Sequence, residues 1–200
     1  MKKLAVMLVV CMCYSPFVFA DSASSPVFSS SAIVNGDLEI QVGLNQNSTT
    51  GPTVSNMNFG TLNNDLGTGS LRSTTTGSTG TGSVAVRLSG NSSGVPYTIT
   101  QTGTAPTNGG NIILAGACTV VPIYSSADNA GLGLVGSMGA AGTWVATNKM
   151  LYTSDSAGSF RTIQCQYAIT DNPAAGATAS VPLNQPPGTY NASITFTITS

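Results

Sequence analysis

The stretch from Gly188 to Ser200 constrains the fold of this chain more than any other. Tyr190, Ala192, Ile194, Phe196 and Ile198 are apolar, and Asn191, Ser193, Thr195, Thr197 and Thr199 stand between them. Strict alternation of this kind, rich in β-branched and aromatic side chains, puts one apolar face on a half-buried strand and leaves no helical reading. Pro186-Pro187-Gly188 is the turn that launches it. The alternation runs to within one residue of the chain's last position, so the carboxylate of Ser200 is expected at the strand's tip.

A second segment alternates as cleanly. Leu38, Ile40, Val42 and Leu44 are separated by Glu39, Gln41 and Gly43. Between the two, shorter strand-like runs recur: Met57 to Leu62, with Gly60 marking a bulge or close backbone approach, and an edge strand around Ser70 to Thr74 inside the polar stretch from Asn63 to Gly82. Ser83 to Leu88 and Pro96 to Gln101, joined by a Gly- and Ser-rich turn, read as a hairpin. Asn111 to Leu114, Cys118 to Tyr124, Gly142 to Tyr152, Phe160 to Ile169 and Ala179 to Leu183 complete the series. With closely spaced turn signals and no helical window after the N-terminal segment, the pattern predicts an all-β sandwich. In the Gly/Ala-rich stretch from Ser125 to Gly142, Leu132, Leu134 and Met138 are expected to turn into the core; the alternative is an exposed apolar loop suited to adhesion.

Composition narrows the function classes. The chain has no histidine and one glutamate, and charged residues make up 6% of it, against about 25% in ordinary soluble proteins. Apolar residues at 41%, arranged periodically, exclude a disordered chain. Beyond residue 20 the cations are Arg72, Arg87, Lys149 and Arg161, too few to neutralise a phosphate backbone, so nucleic acid is excluded as a partner. Without histidine the usual general base is missing. Asp65, Asp128, Asp155 and Asp171 sit in Asn-, Gly- and Ser-rich contexts typical of turn residues, and Asp128-Asn129 alone is too sparse for calcium. The glycines from Gly131 to Gly139 do not link a strand to a helix and so form no dinucleotide loop. We therefore expect no catalytic residues, no cofactor and no metal. Trp144, Tyr124 and Tyr152 are the candidates for an aromatic sugar-binding platform, although a lone tryptophan in a β-protein belongs more often to the core.

The first twenty residues have the layout of a signal peptide: Lys2-Lys3, an apolar run from Leu4 to Phe17, and Val18-Phe19-Ala20 as the cleavage site, with Ala23 the second choice. The expected division is 1–20 signal peptide, 21–45 flexible leader and N-terminal strand, and 46–200 sandwich, with no membrane span in the mature chain. Cys118 and Cys165 would remain in an oxidising compartment and read as one disulfide. Closing their loop of about 47 residues would stabilise the fold by roughly 4 kcal/mol. A zinc site fails for want of ligands.

The order of segments carries a resemblance. A leader, an amphipathic N-terminal strand, Met57-Asn-Phe-Gly-Thr-Leu62, and Pro187-Gly-Thr-Tyr190 followed by an alternating terminal strand together resemble the spore-coat-U-type domain family, which includes pilin subunits of archaic chaperone–usher systems. The resemblance implies an incomplete immunoglobulin-like sandwich, held first by a periplasmic chaperone, passed to an outer-membrane usher and completed by the next subunit's N-terminal strand. It implies a cell-surface fibre serving adhesion and biofilm formation. Under it, Leu38, Ile40, Val42 and Leu44 are the donor-strand teeth. Tyr190, Ala192, Ile194, Phe196 and Ile198 flank the acceptor groove and pair with the chaperone, and the Ser200 carboxylate is the chaperone's anchor. A self-contained secreted binding module for carbohydrate or other surfaces is the competing expectation.

Overall fold

The structure, a computed structural model, describes residues 21–24, 31–34, 38–46, 57, 59–65, 67, 69–73, 83–92 and 94–200; for 21–46, 65 and 72–73 it describes the backbone alone. The expected signal peptide lies outside the described residues. In chain order the strands are β1 (Asp21–Ser24), β2 (Ser31–Val34), β3 (Leu38–Gln46), β4 (Leu62–Asp65), β5 (Ser70–Ser73), β6 (Ser83–Asn91), β7 (Thr98–Gly103) and β8 (Thr107–Asn108). They continue with β9 (Asn111–Ile112), β10 (Cys118–Tyr124), β11 (Ser137–Met138), β12 (Gly142–Thr143), β13 (Lys149–Thr153), β14 (Arg161–Ile169), β15 (Val181–Pro182) and β16 (Ile194–Thr199). Two short 3-10 turns interrupt them, and among the described residues there is no α-helix.

One large sheet has the order β1-β16-β7-β13-β11 and the other β12-β10-β14-β6-β3-β2, with smaller sheets β15-β5-β4 and β8-β9. Every pairing is antiparallel. Val86, Leu88, Ile163, Cys165 and Tyr167 from the second sheet share one core with Ile99, Leu151, Tyr152, Phe196 and Ile198 from the first, so the chain is all-β and sandwich-like. Tyr167 meets Phe196 edge to face across this core, centroids 6.3 Å apart. The fully buried Gln101 is satisfied there, accepting from Tyr167 Oη and donating to the Trp144 carbonyl at 3.0 Å. Trp144 is itself fully buried, so the core reading of this residue holds and an aromatic platform built on it does not.

Several expectations are corrected. Ser83 to Leu88 and Pro96 to Gln101 do not form a hairpin: β6 and β7 lie in different sheets, and the loop between them arches across the core. That loop bonds to another loop instead, Ser92 N–H to Gly158 C=O and Gly94 N–H to Ala157 C=O, both at 3.0 Å. Gly142 to Tyr152 is broken into β12 and β13 around the buried Trp144. Leader residues 21–24 and 31–34 are paired strands, β1 along β16 and β2 along β3, because an edge ladder needs backbone groups and no apolar teeth.

The expected disulfide is absent. Cys118 and Cys165 are both free and buried. On the adjacent strands β10 and β14, Cys118 lies opposite Ile169 whereas Cys165 lies opposite Pro122, an offset of four residues. At about 3.3 Å per residue that separates them by some 13 Å along the strands, roughly twice the reach of a disulfide. Parity of cysteine count carries no information about register, which is why the sequence misled.

Candidate functional site

The C-terminal segment enters its sheet late. The ladder of β16 with β7 begins at Ile194, and before it Asn191 bridges to Thr107 of β8. Asn191 exchanges both backbone hydrogen bonds with Thr107, at 2.9 and 3.0 Å. Ser193 C=O accepts from Thr104 N–H at 3.0 Å, and its own N–H donates to Thr104 Oγ1 at 2.9 Å. In an extended segment successive residues point their polar groups to opposite sides. With Asn191 and Ser193 turned toward β7 and β8, the N–H and C=O of Ala192 face the other way, where no partner meets them among the described residues.

Ala192 also lines a groove of about 910 Å³. Its lining includes Met57, Phe59 and Leu62, the C-terminal Leu183, Tyr190, Ala192 and Ile194, and the buried Ile113, Trp144 and Ile169. Phe59 stacks on Trp144 with centroids 6.1 Å apart and planes 8° from parallel, which fixes Phe59 against the core. Gly60 follows with φ of 74°, a left-handed conformation that ends any strand there and delays β4 to Leu62. Tyr190 is tied down through Oη, which donates to Pro186 C=O at 2.7 Å and accepts from Gln185 Nε2 at 2.8 Å. Among the described residues, no Asp, Glu, Lys or Arg lines the groove.

Of the expected acceptor residues, Tyr190, Ala192 and Ile194 line the groove, whereas Phe196 and Ile198 are fully buried in the core. Ser200 is exposed at the far end of β16, away from the groove. The expected donor teeth Leu38, Ile40, Val42 and Leu44 lie on β3, which pairs with β6 of its own chain: Ile40 opposite Gly90, Val42 opposite Leu88, Leu44 opposite Val86. Their side chains lie outside the described residues. The outer edge of β16 from Thr195 to Ile198 is paired in cis with β1. Sequence reasoning missed Leu183 and Gln185 as groove residues; their signal was the Pro186-Pro187-Gly188 turn, which folds them back toward Tyr190.

The carboxylates act as structural acceptors. Asp155 accepts from Ser159 N–H at 2.9 Å and Ser159 Oγ at 2.8 Å, and these bonds hold its carboxyl below the usual carboxylate value. Asp128 pairs with Arg87 at 2.6 Å and accepts from Gln164 Nε2, and Asp171 accepts from Ser70 Oγ at 3.2 Å. The side chain of Asp65 lies outside the described residues, and no cluster of three potential metal ligands occurs among them. Compared with family models, curated proteins and solved structures, the chain matches none of them.

Proposed function

We propose that this chain is a structural subunit of a secreted surface fibre, assembled when a strand of one copy enters the groove of the next. The observation that carries the reading is the groove itself: a trough of mixed polar and apolar lining, with no charged side chain among the described residues, beside Ala192, whose backbone has no partner among them. Backbone groups there offer a new strand its ladder, and the walls offer pockets for alternate side chains. The strand suited to it has apolar teeth at every second position and no need of a charged partner, which describes Leu38 to Leu44. In the isolated chain β3 closes its own sheet; in the fibre it would leave β6 for a neighbour, as in domain swapping. The resemblance to spore-coat-U-type pilins supplies the rest of the proposal: an incomplete immunoglobulin-like sandwich, a periplasmic chaperone on the C-terminal segment and an outer-membrane usher.

The cis pairing of β3 with β6 favours a second reading, a self-contained secreted binding module whose sheet needs no partner. One experiment separates the two. The mature protein is purified from periplasm and run without boiling on a denaturing gel. A ladder of multimers that collapses on boiling supports strand exchange; a lone, reversibly folding monomer supports the module.

A further inference from the structure

The segment ahead of β3 is fastened at two places, one on each large sheet. β1 lies along the outer edge of β16, with Asp21 opposite Ile198, Ser22 opposite Thr197, Ala23 opposite Phe196 and Ser24 opposite Thr195. β2 lies along β3, from Ser31 opposite Gln41 to Val34 opposite Leu38. β1 ends the sheet that holds β16, and β2 ends the sheet that holds β3 and β6. β3 is therefore flanked by β6 and β2, and the chain leading into β2 is made fast to the opposite sheet.

The lengths of chain decide what this does to β3. Residues 25–30 separate β1 from β2, and residues 35–37 separate β2 from β3. Six residues bridge at most about 25 Å when fully extended. β3, with nine residues, is itself about 30 Å long. A β3 that leaves for a second molecule travels farther than the tether allows, so one of the two short ladders must break: β1 leaves β16, or β2 leaves β3. The ladder of β1 is the easier to open. It has four register pairs, against eight between β3 and β6. Its sequence, Asp-Ser-Ala-Ser, offers one methyl group to a core, whereas three of the four residues of β2 are apolar. Backbone hydrogen bonds at a sheet edge are readily exchanged for water or for another strand.

We propose, on the reading of β3 as the donor strand, that β1 is an intramolecular latch. Paired with β16 it holds β3 on β6 of its own chain, and strand exchange begins when it lets go. The polar leader thereby keeps the chain monomeric until β1 is displaced.

Two variants of the full mature chain test this beside wild type. Ser22→Pro/Ala23→Pro unlatches it: successive residues of a strand point their N–H groups to opposite sides, so one of the two prolines removes a donor facing β16. Ser22→Cys/Thr197→Cys bolts it: opposite residues of an antiparallel pair have Cα atoms about 4.5–5.5 Å apart, within disulfide reach. The native Cys118 and Cys165 are buried and do not compete. Hydrogen exchange read by mass spectrometry follows β3, with β14 as the internal control because it pairs with β6 and β10 and not with the leader. Unlatching should speed exchange in β3 several-fold and leave β14 unchanged. The oxidised bolt should slow β3, and reductant should return it to the wild-type rate. Equal β3 exchange in all three proteins overturns the proposal. So does protection lost equally from β3 and β14, which would make β1 an ordinary edge strand of the fold, and so does failure of the introduced cysteines to oxidise in the folded protein. The unboiled ladder separates the latch from exchange itself: it should form faster in the unlatched variant, and in the bolted one only after reductant. A loosened β3 with no ladder in any protein would sink strand exchange and leave the latch standing. A ladder formed at one rate by all three, with the bolt closed, would sink the latch and leave exchange standing.

Discussion

The side-chain amide of Asn129 meets both backbone polar groups of Thr162: Oδ1 accepts from its N–H at 2.8 Å and Nδ2 donates to its C=O at 2.9 Å. β10 pairs with β14 only as far as Tyr124 opposite Ile163, so Thr162 is the first residue of β14 left without that neighbour. Asn129 continues the ladder by one position from a loop, and Nδ2 also donates to Ser125 C=O at 2.7 Å. Asn129→Ala leaves a buried donor and acceptor unpaired and should cost about 2–4 kcal/mol. Urea unfolding checks this: the midpoint should fall with the slope unchanged, and an unchanged midpoint would refute the role.

Gly90 and Tyr97 join the ends of the arch between the sheets. Tyr97 Oη donates to Gly90 C=O at 2.8 Å and lies 3.1 Å from Ser159 C=O. A Cβ on Gly90 would stand 2.7 Å from Tyr97 Cε2 and 3.2 Å from Ile198 Cδ1. Tyr97→Phe should therefore destabilise by about 1–2 kcal/mol through the lost hydrogen bonds. Gly90→Ala should cost about 1–3 kcal/mol through overpacking. Thermal melting of both variants tests the pair, and a Gly90→Ala protein as stable as wild type would show that the contact yields freely.

The buried thiols set a pH dependence. Burial pushes the Cys118 thiol up to about 12, and it raises Cys165, Tyr97 and Tyr167 as well. In the unfolded chain thiols ionise from about pH 8.5 and phenols from about pH 10. Between those values and the folded ones the unfolded state holds fewer protons, so stability falls as pH rises. The urea midpoint should be flat from about pH 6 to 8 and drop steadily above about pH 9. Cys118→Ala should shallow that decline while adding a cavity cost at every pH. Iodoacetamide should label neither cysteine in the native protein and both in urea, and reductant should leave the melting temperature where it was.

The strand-exchange reading predicts two phenotypes at separate places. Ile40→Asp/Val42→Asp should abolish multimers while leaving chaperone binding intact. Ala192→Asp places a carboxylate in a groove that has no charged side chain among the described residues, and it should disable the acceptor but not the donor. Mixed with wild type, it should shorten the ladder by ending growing chains. A ladder of unchanged length at equimolar mixing would place the acceptor elsewhere.

Strands with two clear faces could be read from sequence. Cys118 to Tyr124 and Leu38 to Leu44 are strands almost as expected, and Phe160 to Ile169 lost one residue. Leu38 to Leu44 shows clean period-2 alternation, whereas Cys118 to Tyr124 and Phe160 to Ile169 read as short β-rich runs, and β14 is buried on both faces. Pairing partners were another matter. The arch after β6 carries the glycine and serine that also make hairpins, so its direction depends on Tyr97 reaching back to Gly90, a contact invisible in composition. The groove was half legible: Tyr190, Ala192 and Ile194 came from the alternation, yet nothing in it signalled that Asn191 would bridge to Thr107 and open the strand at Ala192. Leu132 and Leu134 went against expectation, since hydropathy alone does not distinguish a core residue from an exposed end.

The hydrogen bond of 2.8 Å between Thr98 and Thr199 spans 101 positions of sequence, and the whole ladder of β7 with β16 is comparably distant. Such contacts must close a long loop before any of their energy is recovered, so folding should be slow for a domain of this size. Until β16 arrives, β7 lacks a neighbour on that side and the apolar faces that Phe196 and Ile198 later cover stand open to water. A newly made chain therefore passes through a sticky, aggregation-exposed interval whose length is set by topology, and a holdase acting in that interval would raise the yield of native protein without changing its stability.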